Sequence, residues 1–305
     1  MTEVSSTPSS VEVSPVTGWQ KIRAFIEISK PRIVSMVLVT AALGYFLAAR
    51  GIASWQQFLI MMFGTGLSCA GSGVLNCYIE RDVDGLMRRT HNRPLVTGVL
   101  QPHEALAFGV LLVLGGVALL AWQVNLLTGF LSLLTAFLYV VVYTPLKRVT
   151  WLNTSIGAIP GALPPLGGWA AATGGLELGG WVLFLILFIW QHPHFYAIAW
   201  MYRDDYARGG FKMLPVVEPD GISTFRQIIW YSLLLLPVSV LPTVLGMSGM
   251  IYLVGSLILG IGMLRVGIQL SRSHSSLDAR RLLRASIIYL PLLLALIVCD
   301  GGVWR

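Results

Sequence analysis

The sequence predicts an all-α, polytopic membrane protein with nine transmembrane helices, and three observations carry that reading. Only 11% of the 305 residues are charged while 55% are hydrophobic, and the mean hydropathy is +0.74. A soluble domain carries about 25% charged residues, so too little polar surface remains to coat a water-soluble globule of this size. Nine apolar segments reach the roughly 17–25 residues that a bilayer-spanning helix needs. They lie near 31–49, 55–77, 104–122, 125–143, 151–173, 179–201, 226–246, 250–270 and 282–299. The basic residues sort to one side of these nine, as cytoplasmic loops require.

Taken in order, residues 1–18 are Ser/Thr/Pro-rich, hold Glu3 and Glu12 and contain no Lys or Arg. That composition matches neither a secretory signal nor an Arg-rich transit peptide. It predicts a disordered tail, and a bacterial cytoplasmic membrane in preference to a mitochondrial one. Residues 19–30 (WQKIRAFIEISK) predict an amphipathic helix on the membrane surface. Pro31 suits the start of the first spanning helix, and residues 31–305 form a single membrane domain. With the nine spans threaded, 19 of the 21 Lys and Arg fall on one face, Arg50 and Arg305 being the others. The N-terminus is therefore expected in the cytoplasm and the C-terminus on the opposite side. Outer connections are a few residues each, whereas the inner ones after the second and sixth spans run to about 25 residues. Long loops in compact domains usually carry function, so the chemistry is expected at the cytoplasmic face. The net charge of +7 is thereby a topology signal and predicts no nucleic-acid partner. Cys69, Cys77 and Cys299 form no CxxC pair and read as small apolar residues.

The positive-inside rule says nothing about acids, yet these also cluster. In SGVLNCYIERDVDGLMRRTHNRPL, Asn76, Glu80 and Asp84 recur at i, i+4 and i+8, which places them on one stripe if the helix continues. Asn76 and Asp84 are then about 12 Å apart along the axis. One ion cannot span that distance, but a diphosphate with more than one Mg²⁺ can, because Mg²⁺ takes one or two carboxylates plus substrate phosphate oxygens. Arg88, Arg89 and Arg93 follow, and guanidinium forks suit phosphate. An ordinary solvated loop explains a single Asp or Arg. Three oxygen-bearing side chains in register call for a cation to hold them together.

A second cluster, MYRDDYARGGFKMLP, lies about 120 residues on, at the exit of another even-numbered span. It holds Asp204, Asp205, Arg208 and Lys212, and hints at a weak internal repeat with a site between the two clusters. His192 and His194 flank Pro193 inside the sixth span. Two readings of them stand open: hydrogen bonds to neighbouring helices, or contact with an amphipathic substrate. The same holds for Trp190, Phe195, Tyr196 and Trp200, which serve either as packing or as π faces toward a cation. Lys147 and Arg148 read as charge anchors. GAIPGALPPLGGW carries Gly157 and Gly161 in GxxxG spacing and three prolines, predicting a closely packed, distorted helix.

NCYIERDVDGLMRRTHNRPL resembles the first Asp-rich motif of the intramembrane prenyltransferases, the UbiA superfamily. Together with YTPLKRVTWLNTSIGAIPGALPPLGGW and WQHPHFYAIAWMYRDDYARGGFKMLP it is similar to the haem-farnesylating branch of that superfamily over about residues 20–300. The resemblance implies nine helices around a cavity open to the cytoplasmic side. It also implies Mg²⁺ as cofactor, farnesyl diphosphate and haem B as substrates, and the lipid bilayer as surroundings. A haem A synthase or oxidase assembly factors would be the protein neighbours. Carried over by position, Asn76, Glu80 and Asp84 are the first metal motif, with Asp204 and Asp205 as metal ligands of the second. Asn76, Asp84, Lys147 and Asp204 become the catalytic set. Arg89, Arg93, Lys147 and Arg148 become diphosphate partners, Arg208 and Lys212 further substrate-binding residues, and His194 a haem contact. Glu80 departs from the family's Asp, leaving Asp82 as an alternative ligand. Arg208 departs from the DxxxD form of the second motif, leaving Asp204 and Asp205 either on metal or orienting Arg208 and Lys212. The rival expectations are prenyl transfer to a quinone precursor or other tetrapyrrole, and, from a different class, secondary transport. Carboxylates at helix ends and not at the midplane disfavour transport.

Overall fold

The computed structural model describes residues 17–301, and every regular element among them is helical. The expected tail falls almost wholly on residues 1–16, outside that range. Helix α1 (Gly18–Ile28) starts on a capping box: Thr17 Oγ1 accepts from the Gln20 N–H, and Gln20 Oε1 accepts from the Thr17 N–H at 2.8 Å. It exposes Trp19, Ile22 and Ile26 while burying Ala24 and Ile28. Such a helix is amphipathic. Lys30 then takes a left-handed backbone with φ of 53°. The following Pro31 disfavours the right-handed helical region at this residue, and the chain turns sharply into α2 (Pro31–Ala49).

Helices α3 (Trp55–Asp84) and α4 (Pro102–Gln123) follow, then α5 (Leu126–Phe137), which passes through a π-helical stretch, Leu138–Tyr143, into the short α6 (Thr144–Leu146). Helices α7 (Asn153–Thr173) and α8 (Leu178–Met201) lead to two short pieces, α9 (Arg203–Arg208) and α10 (Leu214–Val217). Helices α11 (Ile222–Val244), α12 (Met250–Ser273) and α13 (Ser276–Asp300) complete the chain. Eight helices among the described residues are long and apolar enough to cross a membrane. The ninth expected span, α7, is a 21-residue helix that falls outside this group. Three prolines, four glycines and a polar first turn stand where Leu and Val would raise its hydropathy.

Between membrane helices there is little hydrophobic driving force, so close packing through small residues carries the association. Helix α2 lies along α7, α3 along α4, and α8, α11, α12 and α13 form a second packed group. The large buried cluster of Leu183, Ile186, Ile228, Leu235, Tyr252, Met263, Leu282 and Leu293 joins that group. The GxxxG pair does approach neighbours closely, but those neighbours are side chains, the Tyr143 ring at Gly157 and Gln191 at Gly161. The tightest backbone approaches are elsewhere: a Cβ at Gly168 would run into the Ala41 carbonyl, and one at Gly44 into that of Pro165. Neither obstacle is a flexible side-chain end. Gly168→Ala is therefore expected to separate α2 from α7 and lower stability by about 1–3 kcal/mol, read as a lower melting temperature of the detergent-solubilised protein. Gly167→Ala, where nothing lies within 4 Å, is the control and should not lower it, Ala being the better helix former.

Candidate functional site

From Val74 to Asp84 the chain has no Gly or Pro, so α3 runs on as helix and stops at Gly85. This continuation beyond the expected residue 77 puts Asn76, Glu80 and Asp84 on one stripe, and all three are buried. Asp82, the alternative ligand, points outward with its side chain 77% exposed and lies 3.6 Å from Arg81. Glu80 is thus the carboxylate that shares the stripe.

Three cations meet these side chains in sequence. Lys30 Nζ donates to Asn76 Oδ1 at 2.5 Å, and Asn76 Nδ2 donates in turn to Thr144 Oγ1 at 3.0 Å. Lys147 Nζ donates to Glu80 Oε1 at 2.7 Å. Arg93 Nη1 reaches Asp84 Oδ2 at 2.5 Å and Glu80 Oε2 at 3.8 Å. The other oxygen of Asp84, Oδ1, is buried without a hydrogen-bond partner among the described residues. A buried acceptor left unpaired is costly.

Lys147 is delivered by the π-helical stretch. Pro145 has no N–H to continue an α-helical ladder, and the Thr144 hydroxyl donates to the Tyr139 carbonyl at 2.8 Å. π-turns inside helices often mark functional sites. The ammonium lies 4.6 Å from the Tyr143 ring centroid and 5.8 Å from that of Phe211. Burial works against its charge, yet Tyr143 and Glu80 beside it hold its proton well above the usual lysine range.

The second cluster docks onto the first through loops. The Arg88 backbone N–H donates to Asp205 Oδ1 at 3.2 Å, and Arg208 pairs with the same oxygen. Burial would raise the Asp205 carboxyl, but the Arg88 N–H and the Arg208 guanidinium outweigh it and hold it below the usual carboxylate range. The Lys212 N–H donates to the Lys147 carbonyl at 2.6 Å, and Asn153 Nδ2 donates to the Lys212 carbonyl at 3.1 Å. Beneath these bonds Val83, Met87, Ala199, Phe211 and Met213 form a small buried cluster. The two motifs are therefore held side by side. Asp204 is exposed and 3.9 Å from Arg203, apart from the stripe. The side chains of Arg148, Arg208 and Lys212 are also exposed. Arg89 reaches the Tyr206 hydroxyl at 3.4 Å and lies over the Tyr202 and Tyr206 rings.

The two histidines of α8 differ. His192 is fully engaged: Nδ1 donates to the Phe188 carbonyl at 2.7 Å, Nε2 faces Ser155 Oγ at 3.0 Å, and the ring stacks on Tyr231. The Ser286 hydroxyl donates to the Leu283 carbonyl, so His194 Nδ1, 2.8 Å from Ser286 Oγ, is assigned as the protonated donor. That leaves His194 Nε2 with its lone pair and no partner among the described residues.

Sequence reasoning missed Lys30, Thr144 and Tyr143. Lys30 carried a faint signal, since a basic residue before Pro31 also serves as a charge anchor. Among the described residues no three His, Cys, Asp or Glu side chains converge into a metal cage. Mg²⁺ needs no such cage, because one or two carboxylates plus substrate oxygens suffice. The unpaired Asp84 Oδ1 beside Glu80 and Asn76 fits that donor set.

Residues 37–291 match the model of the UbiA prenyltransferase family. Over 288 residues the chain is 47% identical to a protein of Solibacter usitatus named protoheme IX farnesyltransferase, covering 92% of this chain and 99% of that one. It is 48% identical over 276 residues to a protein of the same name from Salinibacter ruber, covering 90% and 98%. Among solved structures the fold matches a digeranylgeranylglyceryl phosphate synthase with a TM-score of 0.79 at 17% identity, covering 94% of this chain and all of that one. A UbiA homologue from Archaeoglobus fulgidus bound to GPP and Mg²⁺ matches with a TM-score of 0.65 at 17% identity, covering 90% and 99%.

Proposed function

The chain belongs to the UbiA prenyltransferase family and is a membrane prenyltransferase, and from that premise we propose that it transfers the farnesyl group of farnesyl diphosphate to a vinyl group of protohaem IX (haem B). The observation that carries the proposal is the stripe of Asn76, Glu80 and Asp84 faced by Lys30, Lys147 and Arg93. Alternating anionic and cationic groups at one helix end suit a diphosphate and its counter-ion. The names of the relatives support the choice of farnesyl donor and haem acceptor.

Asn76, Glu80 and Asp84 would hold Mg²⁺, which when bound supplies positive charge against the diphosphate. Arg93 and Lys147 would turn from the carboxylates to the phosphate oxygens, with Arg89, Arg148, Arg208 and Lys212 reaching in from the exposed loops. Positive groups held at the departing oxygens stabilise charge as it develops on the leaving group. The bond between C1 of the farnesyl group and the diphosphate oxygen breaks, and its electron pair leaves with the diphosphate. The terminal vinyl carbon attacks C1, and water adds at the carbon next to the macrocycle, losing one proton to give a hydroxyethylfarnesyl substituent. Exclusion of bulk water protects the allylic cation until the vinyl group reacts. In the second motif Asp204 remains open to a metal, whereas Asp205 orients Arg88 and Arg208. His194 Nε2 would face the haem as an iron ligand, its ring oriented by Ser286 in the way second-shell partners fix metal-binding histidines. The basic residues support a cytoplasmic loop face in a bacterial cytoplasmic membrane. The expected haem A synthase or oxidase assembly partners draw no support from the relatives or from the fold.

Lys30 tests the phosphate half. Lys30→Gly accepts the left-handed backbone but removes the ammonium, so KM for farnesyl diphosphate should rise about tenfold, the loss of one charge-assisted contact, without unfolding. An unchanged KM would remove Lys30 from the site. Acceptor competition tests the haem half. The full-length protein, given Mg²⁺, farnesyl diphosphate and equal haem B and 4-hydroxybenzoate, should prenylate haem alone by mass spectrometry. Product on the aromatic acid alone would overturn the haem assignment and keep prenyl transfer.

A further inference from the structure

Where α12 ends and α13 begins, a cleft of about 490 Å³ is lined by Arg265, Ile268, Gln269, Arg272, Ser273 and Asp278, none of which the prenyl reaction uses. Its one acid is spent. Asp278 accepts from Ser273 at 2.6 Å, Ser275 at 3.1 Å, Gln269 at 3.1 Å and Arg281 at 2.7 Å. Arg265 and Arg272 take part in no ion pair among the described residues, and both are exposed. They stand seven residues apart, two turns and about 10 Å along one face of α12. Toward the middle of the helix that face continues as exposed Ile261 and Ile258. The Trp200 indole, 3.1 Å from the His274 carbonyl, ties this corner to the end of α8 from which the second motif departs.

Two uncompensated guanidiniums at a helix end, followed by an apolar track into the membrane span, repeat the order of a phospholipid: phosphate first, acyl chain after. Guanidinium forks match phosphate oxygens, and basic clefts between membrane helices suit anionic headgroups. We propose that the α12–α13 cleft is a binding site for an anionic phospholipid, with the headgroup phosphate between Arg265 and Arg272 and an acyl chain along Ile261 and Ile258. If the arginines served only as topology anchors, lipid charge would not matter to the cleft.

Native mass spectrometry of the full-length protein in detergent tests this. With equal dioleoyl phosphatidylglycerol and phosphatidylcholine added, the protein should retain phosphatidylglycerol about tenfold better. The Arg265→Gln/Arg272→Gln variant should lose that preference while keeping farnesyl transfer, which shows that it is folded. Arg280→Gln/Arg284→Gln, which removes two exposed charges outside the cleft, should keep it. Millimolar inorganic phosphate should not displace the lipid. Should the double variant not fold, Ile261→Ser, with both arginines intact, serves instead and should weaken retention severalfold. The proposal is overturned by equal retention of the two lipids, by a preference that survives loss of both arginines, or by one that the α13 control removes equally. Displacement by phosphate would make this a free-anion site and overturn the lipid assignment. A failure here leaves the prenyl reaction untouched, because the two sites share no residue.

Discussion

Asp84→Asn is expected to lower the rate of farnesyl transfer by about 10²–10³-fold, the range seen when one preorganised electrostatic contact to a developing charge is removed. The change keeps the shape of the side chain and its hydrogen bond from Arg93, which still has Glu80 at 3.8 Å. The size-exclusion profile and helical circular dichroism should therefore be retained. What is lost is the charge on Asp84 Oδ1, the one buried carboxylate oxygen without a partner among the described residues. Turnover measured with farnesyl diphosphate, haem B and Mg²⁺ separates the alternatives. Near-normal activity would mean that Asp84 serves only to hold Arg93 and the loop it begins.

Lys147→Met should damage stability as well as chemistry. Glu80 and Lys147 form a largely enclosed pair at 2.7 Å, with side-chain exposures of 7% and 14%. Removing one member leaves an uncompensated buried charge, which typically costs about 3–5 kcal/mol. Arg93, 3.8 Å from Glu80 Oε2, should keep the loss toward the lower end. The thermal transition in detergent is expected to fall clearly, and farnesyl transfer to become undetectable. Adding Glu80→Gln removes the stranded charge, so the double variant should recover most of the melting temperature and none of the activity. Recovery of both would show that the pair is purely structural.

These two residues differ in how readable they were. Asp84 was legible because the spacing of Asn76, Glu80 and Asp84 has only one helical meaning, and the uninterrupted run from Val74 preserves it. Lys147 was read from its residues as a charge anchor, and its place beside Glu80 depends on a π-helical stretch that no periodicity announces. The sequence leaves Asp205 open between binding a metal and orienting Arg208 or Lys212. Its carboxylate is occupied by Arg208, three residues on in the same short helix, and by the Arg88 N–H, 117 residues away in sequence, which only loop conformation brings close. Lys30 lies 46 residues from the Asn76 it touches, and a left-handed backbone just before Pro31 carries it there. Membrane spans were legible from apolar length, except that α7 exchanges hydropathy for proline and glycine. The resulting close contact with α2 emerged at Gly168 and Gly44, not at the glycine pair that its spacing singled out.

The most direct test of the central claim follows the label of farnesyl diphosphate carrying ¹⁴C at C1 through the purified full-length protein supplied with haem B. With Mg²⁺, label should appear in the haem fraction as diphosphate is released. With EDTA, or in Asp84→Asn with Mg²⁺, haem labelling should fall by about 10² or more. Haem labelled at the same rate under all three conditions would contradict a metal-dependent diphosphate site at the end of α3.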